Sequence, residues 1–400
     1  MQKESVIKIG LLSHMFEDVN LGCVALSICN VKLIDRVAEE LGMPIKYIIY
    51  VNEKQRQLEL NFTETPYEYR VYSSSKQSLK HPIKLLSTKI FADCNVVFNL
   101  CAGDGFTDIY GFGRVLSESY MTILGHAKGA RVIMSPQTIG PFRTTMTRTI
   151  AKRALACCDK IFSRDELSTA FCEELGYADR TQEVIDVAFV LPFEKQEQSH
   201  DKTNIGLNVS GLLYHGGYDY NNYFGLSFSY KEYVQRLIEQ LLAANYAVHL
   251  IAHVVTKDGS IEDDFVVCSE LADKYPDVIL MPRKESPIDV KSYISGMDVF
   301  IGGRMHSTIG AFSAGVPVIP VAYSRKFNGL FNTLEYPYYI DAKGDYNVFS
   351  AVDKTMHWIG ERESMKQQIT RGQQIYTERL QKYVEQLKEY FINNNFGEEA

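Results

Sequence analysis

Short apolar runs rich in β-branched residues alternate with longer amphipathic or Ala/Leu-rich segments along the chain, and that alternation confines it to parallel sheets covered by helices. The runs VIKIGLLS, IKYIIY, NVVFNL, RVIMSPQ, KIFSRD and VIDVAFVL predict the strands of a first half, and NIGLNVS, AVHLIAHVV, VILMPR, DVFIGGR and VPVIPVAY those of a second. Between them PFEKQEQSHDKTN (192–204) is polar, charged and aperiodic, as a linker is. At 400 residues the chain exceeds the length at which a single core stops growing, so two domains are expected, 1–195 and 196–362. A helix over 363–400 follows, with Leu380, Tyr383, Val384, Leu387, Tyr390 and Phe391 on one apolar stripe. It either stays with its own domain or crosses back to the first, and the crossing is the reading adopted.

Composition limits what such a chain binds. With 46% hydrophobic and 23% charged residues and a formal net charge of -7, it carries neither a disordered tail nor a nucleic-acid footprint. Any anion must therefore be held by local basic residues. The eight cysteines are scattered, without C-x-x-C or zinc spacing, and read as reduced, packed thiols. The N-terminus MQKESVIKIGLLSH lacks a signal-like apolar core, and no stretch approaches a bilayer span. The expectation is a cytoplasmic protein without transmembrane segments, with a peripheral membrane contact left open.

In open α/β sheets, ligands sit beyond the carboxyl ends of the strands, where helix N-termini present their N–H groups. The unusual polar residues fall at those ends: Asn20 and Gly22, AGDGFTD (102–108), SPQTIGPF (135–142), SRD (163–165), His253, GGRMH (302–306) and YSRK (323–326). Gly302 and Gly303 are placed to let the backbone approach a ligand, and Ser307 lies in the first turn of the next helix. Arg304 offers a planar fork for carboxylate or phosphate, His306 an acid/base group, and Lys326 a second positive charge. Singly, each has an ordinary structural use; together, at two successive strand ends, they read as an anion site with a proton-transfer group beside it.

Asp165 reads as the N-cap of the helix that Gly176 ends, which leaves Arg164 without a local duty and directs it to a ligand. Asp104 and Asp108 suit a hydroxylated acceptor or a metal, with turn and cap duty the expectation for at least one of them. There is no D-x-D, no Walker A loop and no G-x-G-x-x-G after a strand, and neither a cofactor nor a metal is assigned. The stretch YHGGYDYNNYFGLSFSY (214–230) is either a loop whose rings stack on sugar faces or an ordinary surface loop.

NLGCVAL, AGDGFTDIYG, SPQTIGPF, FSRDELS, IDVAFVL and GGRMHSTIGAFSAGVPVIPVAYSRK occur in the order and approximate spacing of the polysaccharide pyruvyl transferase family, which the chain resembles over roughly residues 8 to 330. The resemblance implies two Rossmann-like domains facing a cleft in a GT-B-like arrangement. It implies transfer of a pyruvyl group from phosphoenolpyruvate to a sugar diol, free or lipid-linked, giving a cyclic ketal and phosphate. Arg164 and Arg304 would then clamp the two anionic groups of the donor, Lys326 would assist at the phosphate, and His306 would be the acid/base group. Asn20, Asp104, Asp108, Gln137 and His253 stand as acceptor-side candidates. The chain departs from the family pattern at Cys23, where an acidic residue is common, and in AGDG; both positions are expected in the first domain, on the acceptor side. Two alternatives remain: a GT-B glycosyltransferase using a nucleotide sugar, for which no ribose-binding acid is evident, and a catalytically silent sugar-binding protein, for which three basic groups have no use.

Overall fold

The computed structural model describes residues 6–52, 55–72, 90–198, 201–394 and 396. The first residues of the N-terminal segment, Ser199 and His200 of the linker and the last residues of the C-terminal segment lie outside the described residues.

The chain divides into two compact units, one formed by Met1–Glu17, Leu26–Val187 and Glu378–Ala400, the other by Asp18–Ala25 and Ala188–Thr377. In the first, seven parallel strands run in the order β3-β2-β1-β4-β5-β6-β7: β1 Ile7–Leu12, β2 Ile45–Asn52, β3 Tyr67–Tyr72, β4 Val96–Asn99, β5 Arg131–Gln137, β6 Lys160–Ser163 and β7 Thr181–Glu183. In the second, six parallel strands run β10-β9-β8-β11-β12-β13: β8 Asn204–Asn208, β9 Ala247–Leu250, β10 Ile279–Leu280, β11 Val299–Gly302, β12 Val318–Ala322 and β13 Ile340–Asp341. Counted within each unit, the second reads 3-2-1-4-5-6, the doubly wound order, and the first reads the same with a seventh strand added after the sixth; the order reverses between β1 and β4 and between β8 and β11. The central strands are buried from end to end, which is why their sequences are near-continuous apolar runs.

VIDVAFVL is not a strand. Its second half, Val187–Val190, is a 3-10 turn, and Asp186 in its middle is a buried carboxylate. The last strand of the first sheet is the preceding Thr181–Glu183.

Two helices serve both units. Leu21–Leu41 begins in the second and continues in the first, so NLGCVAL, with Asn20 and Cys23, starts in the second unit although it follows β1. The helix Arg362–Asn393 belongs to the second unit through Thr377 and to the first from Glu378 onward. In the first unit its stripe is buried: the Tyr383 hydroxyl donates to Asn30 Oδ1 at 2.9 Å, and the Phe391 ring lies 6.5 Å from that of Phe98. No cysteine forms a disulfide, and most are buried. Among the described residues no helix is long and apolar enough to cross a membrane.

Candidate functional site

The second unit builds its site where the strand order reverses. Asn208 ends β8 beside Gly302 at the end of β11, and its buried amide ties the strand ends together. Its Nδ2 donates to the Ile251 carbonyl at 2.9 Å, while its Oδ1 accepts from the Arg304 backbone N–H and the Ser307 hydroxyl, both at 3.0 Å. Arg304 is the N-cap residue of the helix Met305–Ser313, in extended backbone conformation, with no side-chain cap.

What aims Arg304 is Asp264, a fully buried carboxylate that the sequence reading passed over. It accepts from Arg304 Nη2 at 2.8 Å and Nε at 3.2 Å, and from the backbone N–H groups of Gly211, His253 and Val254 at 2.8, 3.1 and 3.0 Å. Arg304 Nη2 also donates to the Glu262 carbonyl at 2.8 Å. Burial opposes the guanidinium charge, but Asp264 outweighs it and holds the group above the ordinary arginine range. The pair uses Nε and Nη2, so the Nη1 edge makes no hydrogen bond among the described residues, and the side chain stays 12% exposed.

His306, in the first turn of that helix, lies against Gly22: a Cβ placed there would sit 2.2 Å from His306 Nδ1 and 2.6 Å from its Cγ. The glycine of NLGCVAL is therefore required for the imidazole to lie on this backbone. Asn20 sits at the start of the helix Leu21–Leu41, its Oδ1 accepting from the Gly22 N–H at 3.1 Å, and its backbone pairs with Val254. His253 is buried, and burial, with the neighbouring His306 and Arg304, lowers its pKa to about 3. It is a neutral packing residue here.

Lys326 falls in the first turn of the helix Arg325–Thr333, after β12. The N-cap residue of that helix, Ser324, makes no cap, and its buried Oγ has no hydrogen-bond partner among the described residues. Five other helices of this unit are capped by side chains: Ser210, Ser229, Asp263, Ser286 and Asn347 each accept from a first-turn N–H. Two starts without a side-chain cap are those carrying Arg304 with His306 and Lys326. Capping side chains take the orphan N–H groups out of play; leaving them open keeps them for an anion.

Four donor-side candidates are held within the fold instead. A Cβ on Gly302 would meet Thr308 Cγ2 at 2.5 Å, and one on Gly303 would meet the Tyr230 hydroxyl at 2.5 Å, so both glycines serve internal packing. Ser307 is fully buried and bonded to Asn208 and to the Arg304 carbonyl. In the first unit Arg164 does have a local duty: its Nη1 donates to Asp186 at 2.7 Å and its Nε to the Thr138 hydroxyl at 3.0 Å, with 4% of the side chain exposed. The buried aspartate that occupies it lies in VIDVAFVL, where a strand had been expected.

The first-unit acceptor candidates divide. Asp108 works locally, accepting from the Arg143 N–H at 2.5 Å and the Thr147 hydroxyl at 2.7 Å, while Asp165, outside the acceptor set, is the expected N-cap. Asp104 is half-buried and accepts from the Tyr110 hydroxyl at 3.0 Å. It follows a turn in which Cys101, Ala102 and Gly103 hold φ of 46, 52 and 90°. Gln137 is fully buried; its Nε2 donates to the Asn99 carbonyl at 2.8 Å and its Oε1 finds no partner among the described residues. Among those residues no three His, Cys, Asp or Glu side chains form a metal-ligand group.

The sequence profile of the family described as polysaccharide pyruvyl transferase matches residues 20–325, which contain every candidate named above except Lys326, one residue beyond its end. No curated protein matches the chain by sequence. By structure it is similar to Staphylococcus aureus MnaA in complex with UDP (12% identity, 97% of each chain covered, TM-score 0.59). It is also similar to a UDP-N-acetylglucosamine 2-epimerase from Listeria monocytogenes (10% identity, 99% and 100% covered, TM-score 0.62), and to Anabaena Alr3699/HepE in complex with UDP and glucose (8% identity, 97% and 100% covered, TM-score 0.55). At these identities the likeness is one of fold, and the fold is GT-B.

Proposed function

Because the chain belongs to the polysaccharide pyruvyl transferase family, we propose that this transferase moves the pyruvyl group of phosphoenolpyruvate onto two hydroxyls of a sugar in a polysaccharide or its lipid-linked precursor, forming a cyclic ketal and releasing phosphate. The observation that carries this reading is the pair of uncapped helix starts after β11 and β12, with Arg304 and Lys326 on them. A donor with two anionic groups, carboxylate and phosphate, has a partner for each. The Nη1 edge of Arg304, held by Asp264, faces one, and Lys326 in the next helix start meets the other.

In the reaction a proton adds to the methylene carbon of the donor, and a sugar hydroxyl bonds to the carbon that becomes cationic. The C–O bond to phosphate then breaks, phosphate leaving with the electron pair, and the second hydroxyl closes the ring. Of the two hydroxyl protons, one balances the new methyl group and the other ends on phosphate. His306 moves a proton in this sequence; an imidazole suits that task near neutral pH, and a positioned group of this kind is worth about a hundred-fold or more in rate. Arg164, neutralised by Asp186, supports the fold of the first unit in this account and is not assigned to the donor.

The test is direct. Incubating the chain with phosphoenolpyruvate and candidate glycans should release phosphate and add a pyruvyl ketal to one of the sugars, and His306→Ala should retain donor binding while losing turnover. A UDP-sugar consumed in place of phosphoenolpyruvate would establish instead the glycosyltransferase alternative, which the UDP-bound structural neighbours favour.

A further inference from the structure

Beside Arg304 the second unit exposes more aromatic surface than its own packing uses. Tyr218, Tyr220 and Tyr223 are 53%, 71% and 53% exposed within six residues of one loop. The rings form a continuous edge-to-face series: Tyr218 to Tyr223 at 5.5 Å, Tyr223 to Phe224 at 5.2 Å, and Phe224 to Tyr323 at 5.1 Å. Tyr323 immediately precedes the uncapped helix start at Ser324. At the other end the Tyr218 hydroxyl donates to the Glu262 carboxylate, and the Glu262 carbonyl is the one that Arg304 Nη2 holds. The ring series is thus tied to the anion-binding residues at both ends.

The loop is built rather than slack. Gly216 and Gly217 take φ of 82 and 90°, and a Cβ on Gly217 would lie 2.2 Å from Tyr223 Cβ, so the turn closes only with glycine. Asn222 braces it by accepting from the Leu226 N–H at 2.7 Å and donating to the Leu226 carbonyl at 2.9 Å. Tyr220 sits at φ 58°, a left-handed conformation that is costly for a bulky residue and that its largely exposed ring does not offset by packing. The carboxylate of Asp219 and the amide of Asn221 are exposed on the same turn.

We propose that this surface is a binding platform for a hexopyranose ring, the sugar nearest the pyruvylated hydroxyls of the acceptor. Phosphoenolpyruvate has three carbons and no ring, so it leaves these tyrosines nothing to stack on. The C–H face of a pyranose matches a phenol ring, and the neighbouring carboxylate and amide suit its hydroxyls. Tyrosine provides such area at small entropic cost, having few rotatable bonds. The word acceptor rests on the function proposed above; the ring binding itself does not.

The experiment is saturation-transfer NMR on the full chain. Its probes are the methyl glycosides of glucose, galactose, mannose and N-acetylglucosamine, with uridine as comparator and with or without phosphoenolpyruvate. At least one glycoside should receive saturation on its ring protons, and both Tyr220→Ala and Tyr218→Ala should weaken its binding about tenfold. Tyr220→Trp should restore it, and the donor-induced rise in melting temperature should stay unchanged in both Tyr220 variants. No transfer to any glycoside, transfer indifferent to the variants, or transfer to uridine alone would overturn the platform. Ring-dependent glycoside binding without any effect of phosphoenolpyruvate would leave the platform standing and remove the pyruvyl reading. Donor binding without glycoside transfer would do the reverse.

Discussion

The two units fold on one strand order and each buries one arginine against one aspartate near the carboxyl ends of its strands, yet the pairs differ in what they leave over. In the first unit Arg164 is enclosed, with 4% of its side chain exposed and Asp186 at 1%, and its Nε is spent on Thr138. In the second, Asp264 is fully buried but takes only two edges of Arg304, leaving the third open beside an uncapped helix. The same ion pair closes one arginine into the fold and presents the other. Sequence proximity to a strand end therefore does not tell an enclosed arginine from a more open one; among the described residues each keeps one terminal nitrogen without a hydrogen bond, Nη2 of Arg164 and Nη1 of Arg304, and what separates the two is exposure, 4% against 12% of the side chain.

Breaking the two pairs should give the largest effects. Asp186→Asn and Asp264→Asn each leave a guanidinium buried without its counter-charge, and each should cost about 3–5 kcal/mol in a urea titration. Among molecules that remain folded, Asp264→Asn should also lose the response to phosphoenolpyruvate, whereas Asp186→Asn should keep it. Equal loss of donor response in both would erase the distinction drawn here.

Acid should stress both units through one histidine each. His14 is fully buried, with Nδ1–H donating to the Leu12 carbonyl at 3.1 Å and Nε2 accepting from Asn30 Nδ2 at 2.9 Å, so a second proton would face a donor. Burial lowers its pKa to about 4, and that of His253 to about 3. Both folded values lie below the unfolded one, so only the unfolded chain takes up protons as pH falls below about 6.5. Stability should be full above that pH and should decline steadily toward pH 4, by on the order of 2–3 kcal/mol per histidine. His14→Asn should flatten the slope, and a stability curve rising with acid would contradict the assignment.

Smaller effects sharpen the contrast inside the second unit. Gly22→Ala should push the His306 ring away from its seat, reducing turnover at least tenfold while the chain still binds donor; an unchanged rate would detach Gly22 from the site. Ser286→Ala removes a real helix cap and should cost about 1 kcal/mol. Ser324→Ala removes no cap and should change stability by no more than about 0.5 kcal/mol in thermal unfolding.

The buried parallel strands were legible in the sequence because a strand covered on both faces leaves a plain apolar run. Tyr67–Tyr72 escaped notice because YEYRVY is a half-buried edge strand that mixes tyrosines with charges, and Ile340–Asp341 because two residues carry no pattern. VIDVAFVL misled because a short apolar run does not reveal its period, and the charged residue at its centre was the overlooked signal. In the site, Arg304, His306 and Lys326 could be read as special because they follow strands. Asp264 could not, since EDDF looks like ordinary capping, and Asp263 does cap that helix. Nor does periodicity show that Asp18–Ala25 leaves the first unit to seat His306 in the second.

The central claim is that the Arg304 edge and the two open helix starts of the second unit hold a doubly anionic three-carbon donor. Melting of the full chain with phosphoenolpyruvate, inorganic phosphate and UDP tests it most directly. At a hundredfold excess over the dissociation constant, bound donor adds about 2.7 kcal/mol to stability. Phosphoenolpyruvate should therefore raise the melting temperature clearly, phosphate less, and Arg304→Lys should lose the difference between them. A rise with UDP and none with phosphoenolpyruvate would contradict the account.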